Sequence, residues 1–585
     1  MNFDDKSKDD ETTTLRHILS TMNATKLVEL FDTYDLGSYL DKTQHQQITI
    51  LAPPNDGLDE TLIPPTEIRD WLKYHILDRR YSPQDLADGA LLVTKAGGDL
   101  LGAHNKQRIR VHVTVQDKAT NSIYDTEKQS IQFGGSAVTG APVYTNSSYV
   151  YPVSQSVSLP RDVLDQLPTN LDLSTFVAVL YQSESDVVFR RAKGMTLFAP
   201  TNEAFERLGM LTKYLLQPSN KKKLAQVLQF HAIQGVYYSN EMAYGEYSVP
   251  TFSHAYDGGC GSDASAGEDI YLNKTDAGIF MRGFGAADGN DRSVIGQVVT
   301  SEEQILTRNG ALLKVDRVQL PALLKVTNHD LLTSSGTTNS FLDLLEKAHL
   351  VDLLDTGSTS QRNPSSSSST KVYVVLAPSD RAFNKMNFTR LLQDQDLLMR
   401  VAKLHILPVA MPQMSLIGDS DHHHHQSGQK KRTNHNIHAI SGDEHQEITT
   451  QGTEFETLFE NEKVVVTLVD DDSHEGGAMY TVHVKGSLQD KAQVIGMGRV
   501  TNGGGVIEID RVLLPSNQND LFALSWWYFL LIVVSVLAIS ALIVVSGYYG
   551  WLWWKRRQEG YLTLDDQGEQ RVDDDEQQET SRRYT

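Results

Sequence analysis

The chain has 585 residues, a formal net charge of −21 and a single cysteine, Cys260. Its length exceeds what one hydrophobic core organises, so several domains are expected, and its charge excludes a nucleic-acid binder, which needs a basic face to displace counterions from phosphate. One cysteine excludes an intramolecular disulfide and a cysteine-based zinc site and leaves stability to packed cores.

Met1 to Thr14 is polar and acidic, neither a signal peptide nor a transit peptide, and residues 1–12 are expected to be disordered. From Leu15 to Leu40 apolar residues recur at helical spacing (Leu15, Ile18, Leu19, Met22, then Leu27, Leu30, Phe31) before a short apolar strand at Ile48 to Leu51. That strand belongs to Thr49 to Leu58, TILAPPNDGL, the first of three versions of one local design. The others are Thr196 to Phe205, TLFAPTNEAF, and Val375 to Phe383, VLAPSDRAF. In each an Ala-Pro pair ends the strand, since proline cannot donate to a ladder. A polar pair, Thr201-Asn202 or Ser379-Asp380, then reads as the cap of a new helix, and Ala-Phe seats an aromatic on it.

Each strand has the same sequel. Helices precede it (Leu171 to Phe189 and Phe341 to Leu354 in the later copies), and a second helix after it ends in Tyr74-His75, Phe230-His231 or Leu404-His405. A β-rich half follows and closes on a strand expected to finish at Leu159-Pro160, Leu320-Pro321 or Leu514-Pro515. Asn309 to Pro321 (NGALLKVDRVQLP) and Gly503 to Pro515 (GGGVIEIDRVLLP) read as a turn feeding an alternating strand. The chain is therefore a tandem repeat whose units are expected to fold separately or nearly so.

This order of elements, with Asp-Arg-Val before the last two Leu-Pro pairs, resembles the fasciclin domain family from about Thr13 to Pro515. The resemblance implies an α+β fold: three tandem domains, each a β-wedge flanked by helices, at residues 13–160 (divergent), 168–321 and 328–515. The first departs from the pattern, with Gly57-Leu58 for Ala-Phe and no Asp-Arg-Val between Val143 and Pro160. It also implies a non-enzymatic adhesion protein of extracellular or lumenal surfaces, with a protein or cell-surface ligand and no cofactor. In that family the Tyr-His pair is an adhesion determinant, which maps onto Tyr74-His75. A histidine packed beside the core and bonded to backbone is the preferred reading, because Phe230 and Leu404 replace the tyrosine. Fungal proteins of similar layout, also with one C-terminal membrane helix, include vacuole-membrane components associated with autophagosome fusion, which leaves a trafficking role open beside adhesion.

Local signatures of catalysis are missing from the sequence. Gly283 to Gly289 and the run from Gly496 have the wrong glycine spacing for a dinucleotide loop, and His474-Glu475 lacks the second histidine of a metalloprotease helix. Asp470 to Asp472 lacks the alternating spacing of a calcium loop. Residues 411–450 read as an insertion in the third repeat that carries His422, His423, His424 and His425, with His435 and His438 nearby. Four neutral imidazoles can take a divalent metal, which keeps a metal-handling or pH-sensing function as an alternative. Consecutive side chains do not by themselves make a tetrahedral site, so a solvated insertion is preferred. The serine run Asn363 to Ser369 is likewise a solvated loop.

Residues 524–548 are almost wholly apolar and long enough to cross a hydrocarbon core of about 30 Å. Trp526, Trp527 and Tyr528 mark one interface; Tyr548, Tyr549, Trp551, Trp553 and Trp554 mark the other. Lys555, Arg556 and Arg557 place the acidic tail, residues 555–585, on the cytoplasmic side and the repeats outside or in a lumen. Sequons at Asn23, Asn146, Asn273 and Asn387 permit that location. The membrane helix is made too late to lead the repeats across, so the natural chain is expected to begin upstream of Met1. In the tail, Gly560-Tyr561-Leu562-Thr563-Leu564 resembles an adaptor-read sorting signal of lysosomal and vacuolar membrane proteins, with Tyr561 and Leu564 as its two anchors.

Overall fold

The structure, a computed structural model, describes residues 14–41, 47–102, 105–115, 129–145, 147–253, 268–283, 295–299, 304–321, 324–355, 372–386, 388–412, 414, 448, 450–469, 479–487, 491–500, 503–515 and 530–557. Outside these lie Met1 to Thr13, Cys260, Asn363 to Ser369, His422 to His425, His435, His438, Asp470 to Asp472, His474-Glu475, Asn146, Asn387, Trp526 to Tyr528, Tyr561 and Leu564.

Each repeat is built on a parallel pair of strands taken from its two ends. The opening strand Ile48–Ala52 lies beside the closing strand Ser148–Pro152, Met195–Pro200 beside Gly310–Val315, and Val374–Pro378 beside Gly505–Ile509. Helices and a second layer of strands cover both faces of the pair. The closing strands of the second and third repeats are consequently buried at every position and do not alternate as the sequence pattern suggests. On its other edge each opening strand takes a short antiparallel strand, Ile76–Leu77, Ala232–Gln234 or Ile406–Leu407. In the first two repeats a short antiparallel strand, Val143–Tyr144 or Ile305–Thr307, flanks the closing strand, and the other strands form an antiparallel meander, such as Gly245–Pro250, Asp269–Thr275, Gly278–Arg282 and Gly296–Gln297 in the second repeat. In the third repeat the two sheets merge into seven strands, because Ala492–Arg499 pairs with both Met479–Val484 and the closing strand, through an irregularity between Val494 and Gly496.

The closing strands end at Pro152, Val315 and Ile509, well before the Leu-Pro pairs. The aspartate of Asp-Arg-Val explains the stop in the last two repeats. Asp316 and Asp510 accept the backbone N–H of Gln297 and Gln493 at 2.6 Å and clip the strand end to the meander. The chain then leaves the sheet and crosses to the helical side.

The polar pair after Ala-Pro also does something different from simple capping. Thr201 caps its own helix, Asn202–Glu206, by accepting the N–H of Ala204, whereas Ser379 makes no such bond. The next residue caps an earlier helix instead. Asn202 Oδ1 accepts the N–H of Thr175, the second residue of helix Ser174–Gln182. Asp380 Oδ1 accepts that of Ser340 in Asn339–Lys347, and Asn55 Oδ1 that of Lys26 in Thr25–Thr33. These three helices have no local side-chain cap, so a residue from the end of the opening strand satisfies an N–H that would otherwise be orphaned. The anchors Phe205 and Phe383 are buried, and in the first repeat, where a short 3₁₀ turn replaces the helix, Leu58 fills the same role.

The first repeat has two apolar clusters of its own. The second and third share one, which revises the expectation of separate cores. Met210, Leu211 and Leu215 of helix Met210–Leu215 belong to the same cluster as Leu331 and Leu332 of helix Asn328–Ser335 and Val500 and Val506 of the third repeat. Two glycines allow the approach. Gly209 has φ +56° and lies against the carbonyl of Met497, and a Cβ on Gly498 would meet that of Met210 at 2.8 Å. Met411, Met414 and Ile448, which fall inside the expected insertion 411–450, are buried in the core of the third domain, so both flanks of that segment are structural.

Asn202→Ala should cost about 1 kcal/mol in urea unfolding, the loss of one helix cap. Asn202→Asp should cost less, since the third repeat uses aspartate at that place; equal losses for the two would show that the side-chain oxygen is not what matters.

Candidate functional site

The apolar–histidine pairs sit where each repeat is tied together. The helices that carry them, Ile68–Tyr74, Lys221–Phe230 and Gln395–Leu404, bury one face, including Trp71 and Leu72, Val227 and Leu228, Leu398 and Val401. His75, His231 and His405 follow as the C-terminal caps and are wholly buried. Each joins three segments. Its carbonyl accepts from the opening strand, at Leu51, Phe198 and Leu376. Its Nδ1 lies 2.9, 2.8 and 2.7 Å from the carbonyls of Trp71, Val227 and Val401 one helical turn back. Its Nε2 accepts the backbone N–H of Val157, Gln319 and Leu513 at 3.2, 2.9 and 3.1 Å. The partners settle the tautomer: Nδ1 must donate to a carbonyl and Nε2 must accept from an amide, so each ring is neutral with its proton on Nδ1.

Burial pushes each of the three imidazoles down to about 4 from the ordinary 6.5, with the backbone carbonyl pulling the other way. The neighbours are apolar or aromatic: the Trp71 ring stands edge-on to His75 at 5.2 Å, and Phe341 is 5.5 Å from His405. Protonation would place a second N–H against the backbone N–H that Nε2 now accepts. Tyr74 is buried as well, donating its hydroxyl to the carbonyl of Arg108 at 2.9 Å, and burial raises its pKa. In the folded domain neither member of the Tyr74-His75 pair presents its ring to a partner. The sequence marks these histidines by repetition but holds no sign of the distant amide that each Nε2 meets.

Two sequons fall on described residues. Asn23 is exposed in a left-handed turn (φ +57°), its Oδ1 accepting from Asn55 Nδ2 at 3.0 Å. Asn273 is half-buried in the strand Asp269–Thr275, paired with Glu246 on one side and Phe280 on the other. Among the described residues no group of three or more His, Cys, Asp or Glu is placed to hold a metal.

Among the described residues the C-terminal unit contains one helix, Leu530–Arg557, of 28 residues with its apolar side chains exposed. At 1.5 Å per residue it is about 42 Å long. It runs unbroken through the aromatic band and the basic triplet, so the tail expected from Lys555 starts inside it. Lys555 folds back over the Trp551 ring at 5.5 Å and Arg557 over Trp553 at 5.0 Å.

The family model for the fasciclin domain matches the chain three times, at residues 22–155, 171–321 and 336–515. Transforming growth factor-beta-induced protein ig-h3 of Oryctolagus cuniculus is 26% identical over 226 residues, 38% of this chain and 29% of that protein. Periostin of Homo sapiens is 22% identical over 288 residues, 49% of this chain and 29% of its own length. Fasciclin-like arabinogalactan protein 4 of Arabidopsis thaliana is 25% identical over 226 residues, covering 32% of this chain and 53% of that protein. The matched region thus spans under a third of the first two relatives. A solved fasciclin domain pair from the insect cell adhesion molecule fasciclin I aligns at 17% identity over 53% of this chain and 99% of its own, with a TM-score of 0.26.

The neutral latches make stability depend on pH. Their folded pKa lies below the unfolded one, so their contribution is complete above pH 6.5 and is lost as pH falls toward 4, where the unfolded chain binds protons that the folded chain refuses. Each histidine should cost about 2 kcal/mol on going from pH 7.5 to pH 5 in urea unfolding of residues 14–515. His231→Gln should lower stability at pH 7.5 and flatten part of the pH slope; an unchanged slope would place the acid sensitivity elsewhere.

Proposed function

Because the chain belongs to the fasciclin domain family, we propose that it is a single-pass membrane protein whose three tandem domains make contact with a protein or surface ligand outside the cell or in a lumen, without catalysis. The observation that carries this reading is the pairing of three family matches with one exposed, membrane-length apolar helix beyond them. Transfer of that helix into a bilayer buries its apolar side chains, and the basic triplet at its C-terminal end orients the tail to the cytoplasm. The ligand meets the exposed faces of the domains, since the histidine pairs are spent on holding each one closed. Full latch stability above pH 6.5 supports a neutral exterior as the place of work. Beads coated with residues 14–515 should bind cells or one another above a coated control at neutral pH, and beads that do neither would remove adhesion.

The second reading places the protein at a vacuole or lysosome membrane, in trafficking or autophagosome fusion. Its support is position in the sequence: Gly560-Tyr561-Leu562-Thr563-Leu564 begins three residues after Arg557 of the basic triplet, the short spacing from a membrane that such a signal needs. Tyr561→Ala with Leu564→Ala should move a tagged full-length chain from that membrane to the cell surface. An unmutated chain found only at the surface would leave adhesion alone standing.

A further inference from the structure

We propose that the first domain is held on the second by a polar clasp that salt opens, while the second and third domains stay joined as one body. The clasp starts from the alternation of the strand Arg108–Val115. Ile109 and Val111 point into the first domain and are fully buried, while Arg108 and Arg110 lie on the opposite face and reach the second domain. The Arg108 guanidinium donates through Nε and one Nη to the two carboxylate oxygens of Glu241, both at 3.0 Å, and lies 4.8 Å from the Tyr238 ring. Arg110 donates to the carbonyl of Gln304. Gln107, just before the strand, donates to the carbonyls of Thr307 and Arg308 at 3.2 and 2.9 Å. Arg308 returns the contact with an ion pair to Glu67 at 2.7 Å, and Gly194 donates its N–H to the carbonyl of Leu100.

These bonds are polar, and each of the two ion pairs has one solvent-exposed partner, Glu241 at 44% and Arg308 at 43%, against a more buried one, Arg108 at 13% and Glu67 at 24%. Among the described residues no buried apolar cluster contains residues of both the first and second domains, whereas one cluster runs from the second into the third. The buried Gln107 also leaves its Oε1 without a hydrogen-bond donor among the described residues, a group that water satisfies once the domains part. Screening weakens ion pairs of this exposure and leaves apolar burial intact or strengthened. Opening frees complementary groups, Gln107, Arg108 and Arg110 on one domain and Tyr238 and Glu241 on the other, which the closed form engages with each other.

The test uses the full chain in detergent micelles with Cys260→Ser and pairs of spin labels, measured by double electron–electron resonance. One pair, at Thr33→Cys and Lys222→Cys, spans the first and second domains; the other, at Lys222→Cys and Lys347→Cys, spans the second and third. All three sites are exposed. From 0.01 to 1 M salt, where the Debye length falls from about 30 to about 3 Å, the first pair should pass from a narrow to a broad, longer distribution while the second stays narrow. Arg108→Glu should broaden the first pair already at low salt, and Arg108→Glu with Glu241→Arg should restore it. The salt series needs no clasp variant, so misfolding cannot mimic it. A first pair unchanged by both salt and Arg108→Glu, or a second pair that broadens with the first, overturns the proposal.

Discussion

Before either strand of a domain's central pair can be buried, the chain between them must be closed into a long loop, because one strand comes from the beginning of the repeat and its parallel partner from the end. Parallel neighbours cannot be joined by a tight turn, and the pair has no tolerance for an exposed face. The buried histidine answers this constraint. It follows the helix that leads into the third strand, gives its carbonyl to the opening strand and takes an amide from the segment beyond the closing strand. A single residue, through its backbone carbonyl and its ring, thus ties together parts of the repeat that local structure cannot.

Around that pair the polar groups are satisfied from a distance. Asn55, Asn202 and Asp380 leave the end of the opening strand and complete the first turn of a helix that precedes it in sequence. Asp316 and Asp510 do the corresponding work at the end of the closing strand. The segment after Ala-Pro is therefore a junction: in all three repeats one residue serves an earlier helix, and in the second repeat Thr201 also caps its own. Such long-range polar ties favour one arrangement of the helices over the near-equivalent packings that apolar burial alone would allow.

The two interfaces between domains are built on different physics. Between the second and third, glycines at 209 and 498 let helix and strand approach until their side chains enter a common core. Between the first and second, a polar strand face supplies arginines that pair with carboxylate and carbonyl. The divergence of the first repeat, which has no Asp-Arg-Val and a 3₁₀ turn in place of a helix, goes with its looser attachment. A chain of this design presents a joined pair of domains and one more that is separately held.

Much was legible from the amino acids alone, for a physical reason: repetition and periodicity are local. The three Ala-Pro strands, the histidine-ending helices and the apolar stretch ending in aromatic and basic residues identify the elements, their order and the family, because each is encoded by residues within a few positions of one another. What the sequence could not determine is which distant groups those residues meet. The alternation read in GGGVIEIDRVLLP and NGALLKVDRVQLP was misleading, since a strand covered on both faces buries its polar positions too, Lys314 and Glu508 among them. Asn202 reads as a local cap and proves to be a long-range one, and Arg108 and Arg110, which no local pattern singles out, lie at an interface. Hydrogen-bond partners far apart in the chain leave no period to detect, and only the folded arrangement decides whether a polar side chain faces water, a helix end or another domain.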